Sequence, residues 1–172
     1  MATTYVRIAQ ESDLTSIMNI INEAKALLKA DGSNQWQAGY PNASTISTDI
    51  IKKNSYVLII DGKIAGTACL TSEPEPNYSE IDGSWQHPDE PYQVIHRIAI
   101  SGQYRGMHLG SFFLSNLITI SSISGFKNIR FDTRPINTRM QYLGTNFGFK
   151  YCGIIHDAFD VTQPQYAYEL KL

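Results

Sequence analysis

Apolar and polar positions alternate along Tyr5–Ala9, as in a short strand with one face turned inward. From Leu14 the period lengthens. Leu14, Ile17, Met18, Ile21, Ala24 and Leu28 recur at helical spacing, with Ser12 placed to cap the helix and Asp31-Gly32 to stop it. A polar, aromatic loop, Ser33–Asn42, leads to a second short helix expected over Ser44–Lys53. Tyr56–Ile60 and Ile64–Leu70, joined through Asp61-Gly62, have the pattern of an antiparallel hairpin. Thr71–Pro91 carries four prolines and no period, so it reads as a loop, long enough to point to a functional role.

The second half begins with a strand over Tyr92–Ile100 that ends at Ser101-Gly102. Leu109–Ile123 is helical, with Phe113, Leu117 and Ile120 on one face and Gly125 as terminator. A strand over Ile129–Thr133 precedes a helix capped by Asn137, with Met140, Leu143 and Phe147 inward and Gly148 at its end. Phe149–His156 and Tyr166–Leu172 complete the sheet. No repeat, linker or low-complexity tract interrupts this order, which predicts one α+β domain with a mixed sheet over residues 1–172.

Composition narrows the class. A chain of 172 residues that is 42% hydrophobic can bury a substantial core. No apolar run approaches the ~20 residues that span a bilayer, and MATTYVRIAQ lacks the basic and apolar regions of a signal peptide. Cys69 and Cys152 sit in strand-like hydrophobic runs and read as small core residues, so a cytoplasmic protein is expected. His87 and His156 are isolated and no pair has metal-ligand spacing, so no metal is expected. The net charge is −2, but it is unevenly spread. Gln93–Lys150 holds seven bases (Arg97, Arg105, Lys127, Arg130, Arg134, Arg139 and Lys150) against Asp132 alone, whereas Thr71–Tyr92 holds Glu73, Glu75, Glu80, Asp82, Asp89 and Glu90 and no base. Either these are two solvated faces, or the basic half meets a polyanion and the acidic loop a cation.

The segment that carries chemistry is Val94–Ile118, VIHRIAISGQYRGMHLGSFFLSNLI. A hydrophobic strand enters a turn holding Gly102, Gly106 and Gly110, and a helix starts at once. Glycines admit close backbone approach, the free amides of a first helical turn bind phosphate, and Arg105 adds a charged fork. The turn lacks the Gly-Lys-Ser/Thr ending of a P-loop and the glycine spacing of a dinucleotide fold.

This segment resembles the cofactor motif of the GNAT superfamily of N-acetyltransferases, through Arg105-Gly106-Met107-His108-Leu109-Gly110 at the helix start. A second block, Ile129–Phe149, resembles the later strand, Asn-capped helix and terminal Gly-Phe of that family. The order of elements agrees along the whole chain. Gln35-Trp36, Gly39-Tyr40-Pro41 and VIHRIA look like a group of small bacterial acetyltransferases of mostly unassigned substrate. The resemblance implies a mixed, mostly antiparallel sheet of about six to seven strands flanked by about four helices. It implies acetyl-CoA as cosubstrate, held by Ile98, Ala99, Ile100, Arg105, Gly106, Met107, His108, Leu109, Gly110, Ser111 and Asn137. His96 stands where family members often carry a catalytic carboxylate or histidine, and it would act as general base or else be a core histidine. Arg97 is expected on the opposite face of the strand.

Trp36 and Tyr40 fall in the loop that by resemblance overhangs the acceptor, where they serve the acceptor or anchor packing; Trp85 is a weaker candidate. Glu80 and Asp82 in the acidic loop are expected to face a primary amine, cationic and either small or at a peptide end. Neither nucleic acid nor membrane is an expected partner, and the family's habit makes a homodimer an expected assembly. Two departures stand out: the second glycine of the motif is His108, and the family's frequent acid tyrosine, seven residues after Asn137, is Gly144. Tyr142 is about 200° from that position around the helix, which leaves a water or Tyr166 for the role. The same departures define the alternative, a non-catalytic acyl-CoA-binding or sensing module.

Overall fold

The computed structural model describes residues 3–157 and 162–172. It packs as two compact units, Met1–Leu70 with His96–Leu117, and Thr71–Ile95 with Ile118–Leu172. Among the described residues the architecture is α+β with a mixed, mostly antiparallel sheet and four α-helices.

In the first unit, β1 (Thr4–Ile8) pairs antiparallel with β2 (Ser55–Ile60), in the register Thr4 opposite Ile60 and Ile8 opposite Tyr56. The hairpin from β2 to β3 (Lys63–Thr71) turns on Asp61 and Gly62 at φ 46° and 78°. Positive φ at both central residues is what a two-residue turn between right-twisted strands requires. Helix α1 (Leu14–Ala30) buries Ile17, Ile20 and Ile21. Helix α2 (Ala43–Ile51) buries Ile46 and Ile50, and is capped by Asn42, whose side chain accepts the Thr45 N–H at 3.0 Å. These stripes meet Val57, Ile59 and Ala9 in one apolar cluster, with Leu14, Met18, Trp36 and Ile64 at its edge. Ser12 does not cap α1. It lies inside a 3-10 turn, Glu11–Asp13, and the Asp13 carboxylate takes the Gln10 N–H at 2.8 Å. Asp13 also pairs with Arg7, an added gain that Ser12 could not provide.

In the second unit, β6 (Asn128–Thr133) runs antiparallel to β8 (Pro164–Lys171), which pairs antiparallel with β7 (Lys150–His156). Strand β5 (Gln93–Ile100) opens here, parallel to β6 at Gln93 and Val94, and continues into the first unit as far as Ile100. Helix α3 (Leu109–Ile123) has the expected bounds, and α4 (Thr138–Asn146) follows its Asn137 cap. The segment between β3 and β5 holds more than a loop. Pro76–Glu80 is a 3-10 turn, and Asp82–Gly83 is a strand, β4, paired with β7 at Ile154 and Gly153. That strand brings the count among the described residues to eight, and its two residues are too few to carry a period.

A charged cluster lies inside this unit. The Glu169 carboxylate, fully buried, accepts from Arg130, the Asn128 side chain and the Gln86 backbone N–H at 3.0, 2.8 and 2.5 Å. The Arg130 guanidinium lies against both Trp85 and Tyr92, 4.1 and 3.9 Å from their ring centroids.

Candidate active site

At the end of β5 the chain is tied to α1. The Glu23 carboxylate accepts the Gly102 N–H at 2.7 Å and the Ser101 hydroxyl at 3.1 Å. A 3-10 turn over Gly102–Tyr104 follows, and then Arg105, Gly106, Met107 and His108 stand exposed. Gly106 has φ 80°, and a Cβ built there would meet no atom within 4 Å, so this backbone is open to a ligand. Helix α3 begins at Leu109, its first-turn bond running from the Phe112 N–H to the His108 carbonyl at 3.3 Å. The amides of Leu109, Gly110 and Ser111 therefore have no acceptor within the helix and lie at its positive end. Open backbone, these amides and the neighbouring Arg105 suit a diphosphate, the group that coenzyme A carries. His108 has φ 55°, a conformation that glycine adopts freely and that costs another residue on the order of 1 kcal/mol. Its place in the motif is thus a backbone requirement, met here by a histidine whose side chain is exposed.

Upstream on β5, His96 is half-buried and Ala99 buried, with Ile98 and Ile100 half-buried. Arg97 does not follow simple alternation. Its φ is 54°, in the left-handed region, so the face it presents is not set by strand period. Its Nε and Nη2 donate to Asp49 Oδ2 and Oδ1 at 3.0 and 2.8 Å, and Nη1 donates to the Tyr40 hydroxyl. Burial opposes the Arg97 charge, but the acidic groups around it raise its pKa, and the Asp49 carboxylate paired with it keeps it a cation at neutral pH. Burial also raises the Tyr40 phenol, although Arg97 works the other way, and pushes the Cys69 thiol up to about 12. Cys69 is therefore no nucleophile at neutral pH.

Trp36 and Tyr40, both half-buried, share a loop of the first unit. Trp36 packs against the apolar cluster, and the Tyr40 hydroxyl is engaged by Arg97. Trp85 is not an open aromatic face: it is 8% exposed, covered by Arg130, and its indole N–H donates to the Tyr78 carbonyl at 2.8 Å. Glu80 and Asp82 are exposed residues of the second unit, and Asn137 there caps α4, its side chain accepting the Met140 N–H at 3.3 Å. The basic half is less available to a polyanion than its composition implies. Arg97, Arg130 and Arg134 are tied up in ion pairs with Asp49, Glu169 and Asp157.

Gly144 has a specific cause. A Cβ at this position would lie 2.4 Å from Cζ of Phe131, whose ring stacks on Tyr168 at 4.8 Å between centroids. The space beside α4 that a tyrosine would need is filled from within. Tyr142 is 71% exposed, and Tyr166 is half-buried with its ring edge-on to Tyr151. No sequence signal marks Glu23 or Asp49, each the one acid on its helix with nothing local to point to its partner. Among the described residues no group of three or more His, Cys, Asp and Glu could hold a metal, and no helix is long and apolar enough to cross a membrane.

Residues 21–149 match the model of the Acetyltransferase (GNAT) family. A GNAT-family acetyltransferase from Streptococcus agalactiae 2603 is 34% identical, with a TM-score of 0.89 over 98% of this chain and 95% of that one. A Staphylococcus aureus Mu50 chain is 30% identical, with a TM-score of 0.72 over 96% and 97%. The ribosomal-protein-S18-alanine N-acetyltransferase from Escherichia coli, at 15% identity and a TM-score of 0.68 over 98% and 94%, shares the fold.

Proposed function

Since the chain belongs to the GNAT acetyltransferase family, which uses acetyl-CoA as acetyl donor, we propose that residues 1–172 act as one domain that acetylates a primary amine by direct attack. The observation that carries this reading is the exposed turn Arg105–His108 running into the first-turn amides of α3. Arg105 and the amides of Leu109, Gly110 and Ser111 hold the diphosphate, Gly106, Met107 and His108 give it room, and the Ile98–Ile100 backbone runs beside the arm that ends in the thioester. Asn137 completes the set from the resemblance. Acetyl-CoA supplies an activated acetyl group. Holding it beside the amine removes much of the entropic cost of the encounter.

His96 removes a proton from the ammonium form of the acceptor, directly or through a water, so that the nitrogen lone pair is free to attack. The new C–N bond forms as the C–S bond breaks, the acylated nitrogen gives up its extra proton to solvent, and coenzyme A leaves as a thiolate. With position 144 closed to any side chain, the leaving thiolate takes its proton from water or from Tyr166. The acceptor is a cationic amine, small or at a peptide end, bordered by the Trp36–Tyr40 loop and drawn in by the exposed carboxylates Glu80 and Asp82.

A thiol-release assay across polyamines, amino acids, aminoglycosides and peptide N-termini tests the reading, with His96→Ala measured on the best acceptor. Turnover is expected to fall by roughly 10²–10⁴ while acetyl-CoA affinity holds. Parental turnover at neutral pH would reduce His96 to a structural residue, and acetyl-CoA binding without thiol release for any amine would leave a binding module.

A further inference from the structure

Arg97 is the one residue of β5 that combines a left-handed backbone with a side chain anchored outside the strand. Its guanidinium nitrogens are already used, two by Asp49 of α2 and one by Tyr40 of the preceding loop. It has no fork left for a ligand carboxylate or phosphate. Its side chain and that of Asp49 are each 12% exposed. A buried ion pair of this kind adds little net stability over apolar residues of the same size, because desolvation offsets the attraction. Stability alone therefore does not account for it. What a planar fork on a planar carboxylate does fix is orientation.

We propose that Arg97, Asp49 and Tyr40 form a positioning clamp that imposes the left-handed turn of β5 at residue 97, and so aims His96 and the Ile98–Ile100 backbone at the reacting groups. This rests on the reading of His96 and of β5 given above. A left-handed residue between 96 and 98 breaks the two-residue alternation, so the directions of both neighbours depend on it. An L-residue released from its anchors returns to extended backbone, where alternation is restored. The anchors come from elements outside the sheet: α2, held by its Asn42 cap, and the loop that precedes it. Cys69 borders the same cluster as an uncharged thiol and takes no part in the chemistry.

The discriminating variants are Arg97→Ala and Arg97→Gly, each made together with Asp49→Asn so that no unpaired buried charge remains. Both lose the clamp, but glycine adopts φ 54° freely and alanine does not. Turnover of the alanine form is expected to fall about tenfold or more, with acetyl-CoA affinity changed less than about threefold, because geometry at the reacting centre is read in kcat rather than in uniform binding. The glycine form should recover most of that loss. Equal turnover in the two forms, whether both high or both low, would overturn the proposal. Should the alanine form not fold, a cycle decides. Asp49→Asn should lower kcat in the parent and have no further effect in the Arg97→Gly background. A persistent effect in that background overturns the clamp. Failure of the base assignment appears separately, as a His96→Ala enzyme with parental turnover, since the glycine–alanine contrast does not depend on which group takes the proton.

Discussion

An alanine at position 144 would gain α4 about 1 kcal/mol of helix propensity over glycine. It would also place a methyl 2.4 Å from the Phe131 ring, which is itself held by Tyr168 and, edge-on, by Phe149. Overpacking a fixed aromatic cluster costs about 1–3 kcal/mol, so packing outweighs propensity. Gly144→Ala is expected to lower the thermal midpoint, and Gly144→Tyr to fold poorly rather than to supply an acid. A calorimetric scan checks both, and an unchanged midpoint for the alanine form would show that Phe131 can move. The resemblance exposed the empty position but not its cause, which lies on another element. The same limit holds across the site. The Arg105–Ser111 turn was readable because glycines and a helix start are local signals. The bonds from Arg97 to Asp49 and from Gly102 to Glu23 span 48 and 79 residues, and no spacing rule joins them.

Among elements, β6 and β8 are joined by more than their ladder, because Arg130 and Glu169 face each other in the register and bury their charges together. Glu169→Ala leaves Arg130 buried without its anion, a change that costs roughly 3–5 kcal/mol, whereas Arg130→Met with Glu169→Leu removes both charges and should cost much less. Urea unfolding of the single and double variants reads the difference, and a double variant no more stable than Glu169→Ala would contradict it. Most elements were legible to within about two residues, because apolar period and turn chemistry agreed along Leu14–Ala30, Asp61-Gly62 and Leu109–Ile123. The failures have local reasons. Ser12 and the Gln10–Asp13 pair are competing caps, and the structure uses the one that also satisfies Arg7. Strand β4 has only two residues. Trp85 stands as an acceptor candidate in the sequence because its partner Arg130 lies 45 positions away.

At the scale of the molecule, acid stability and salt response follow from where charges are placed. Asp13 takes both Arg7 nitrogens at 2.7 and 3.0 Å and the Gln10 N–H, and Arg7 holds its carboxyl below the usual range in spite of burial. The unfolded chain then binds the proton first. The stabilisation is present above the unfolded value of about 3.9 and is lost as pH falls through the folded one. Asp13→Asn should flatten the acid side of the midpoint–pH curve below about pH 4, and an unchanged slope would show that other groups govern it. For catalysis, kcat/KM for a cationic amine at saturating acetyl-CoA should fall with salt as the screening length shortens to ~3 Å at 1 M. A neutral amine should respond less, and Glu80→Gln with Asp82→Asn should remove the difference; equal salt response in the parent would make the acidic segment a solvated face. That segment has another consequence. Its short strand covers β7 at Gly153 and Ile154, the Ser84 N–H donates to the Cys152 carbonyl at 3.0 Å, and the Asn77 side-chain amide donates to the His156 carbonyl at 2.9 Å. Open strand edges recruit strands from other molecules, and carboxylates such as Glu80 and Asp82 repel a second copy of the same surface. The segment proposed to draw in the substrate would thus double as a guard against aggregation, so a chain trimmed here to widen its acceptor range would precipitate before it lost its fold.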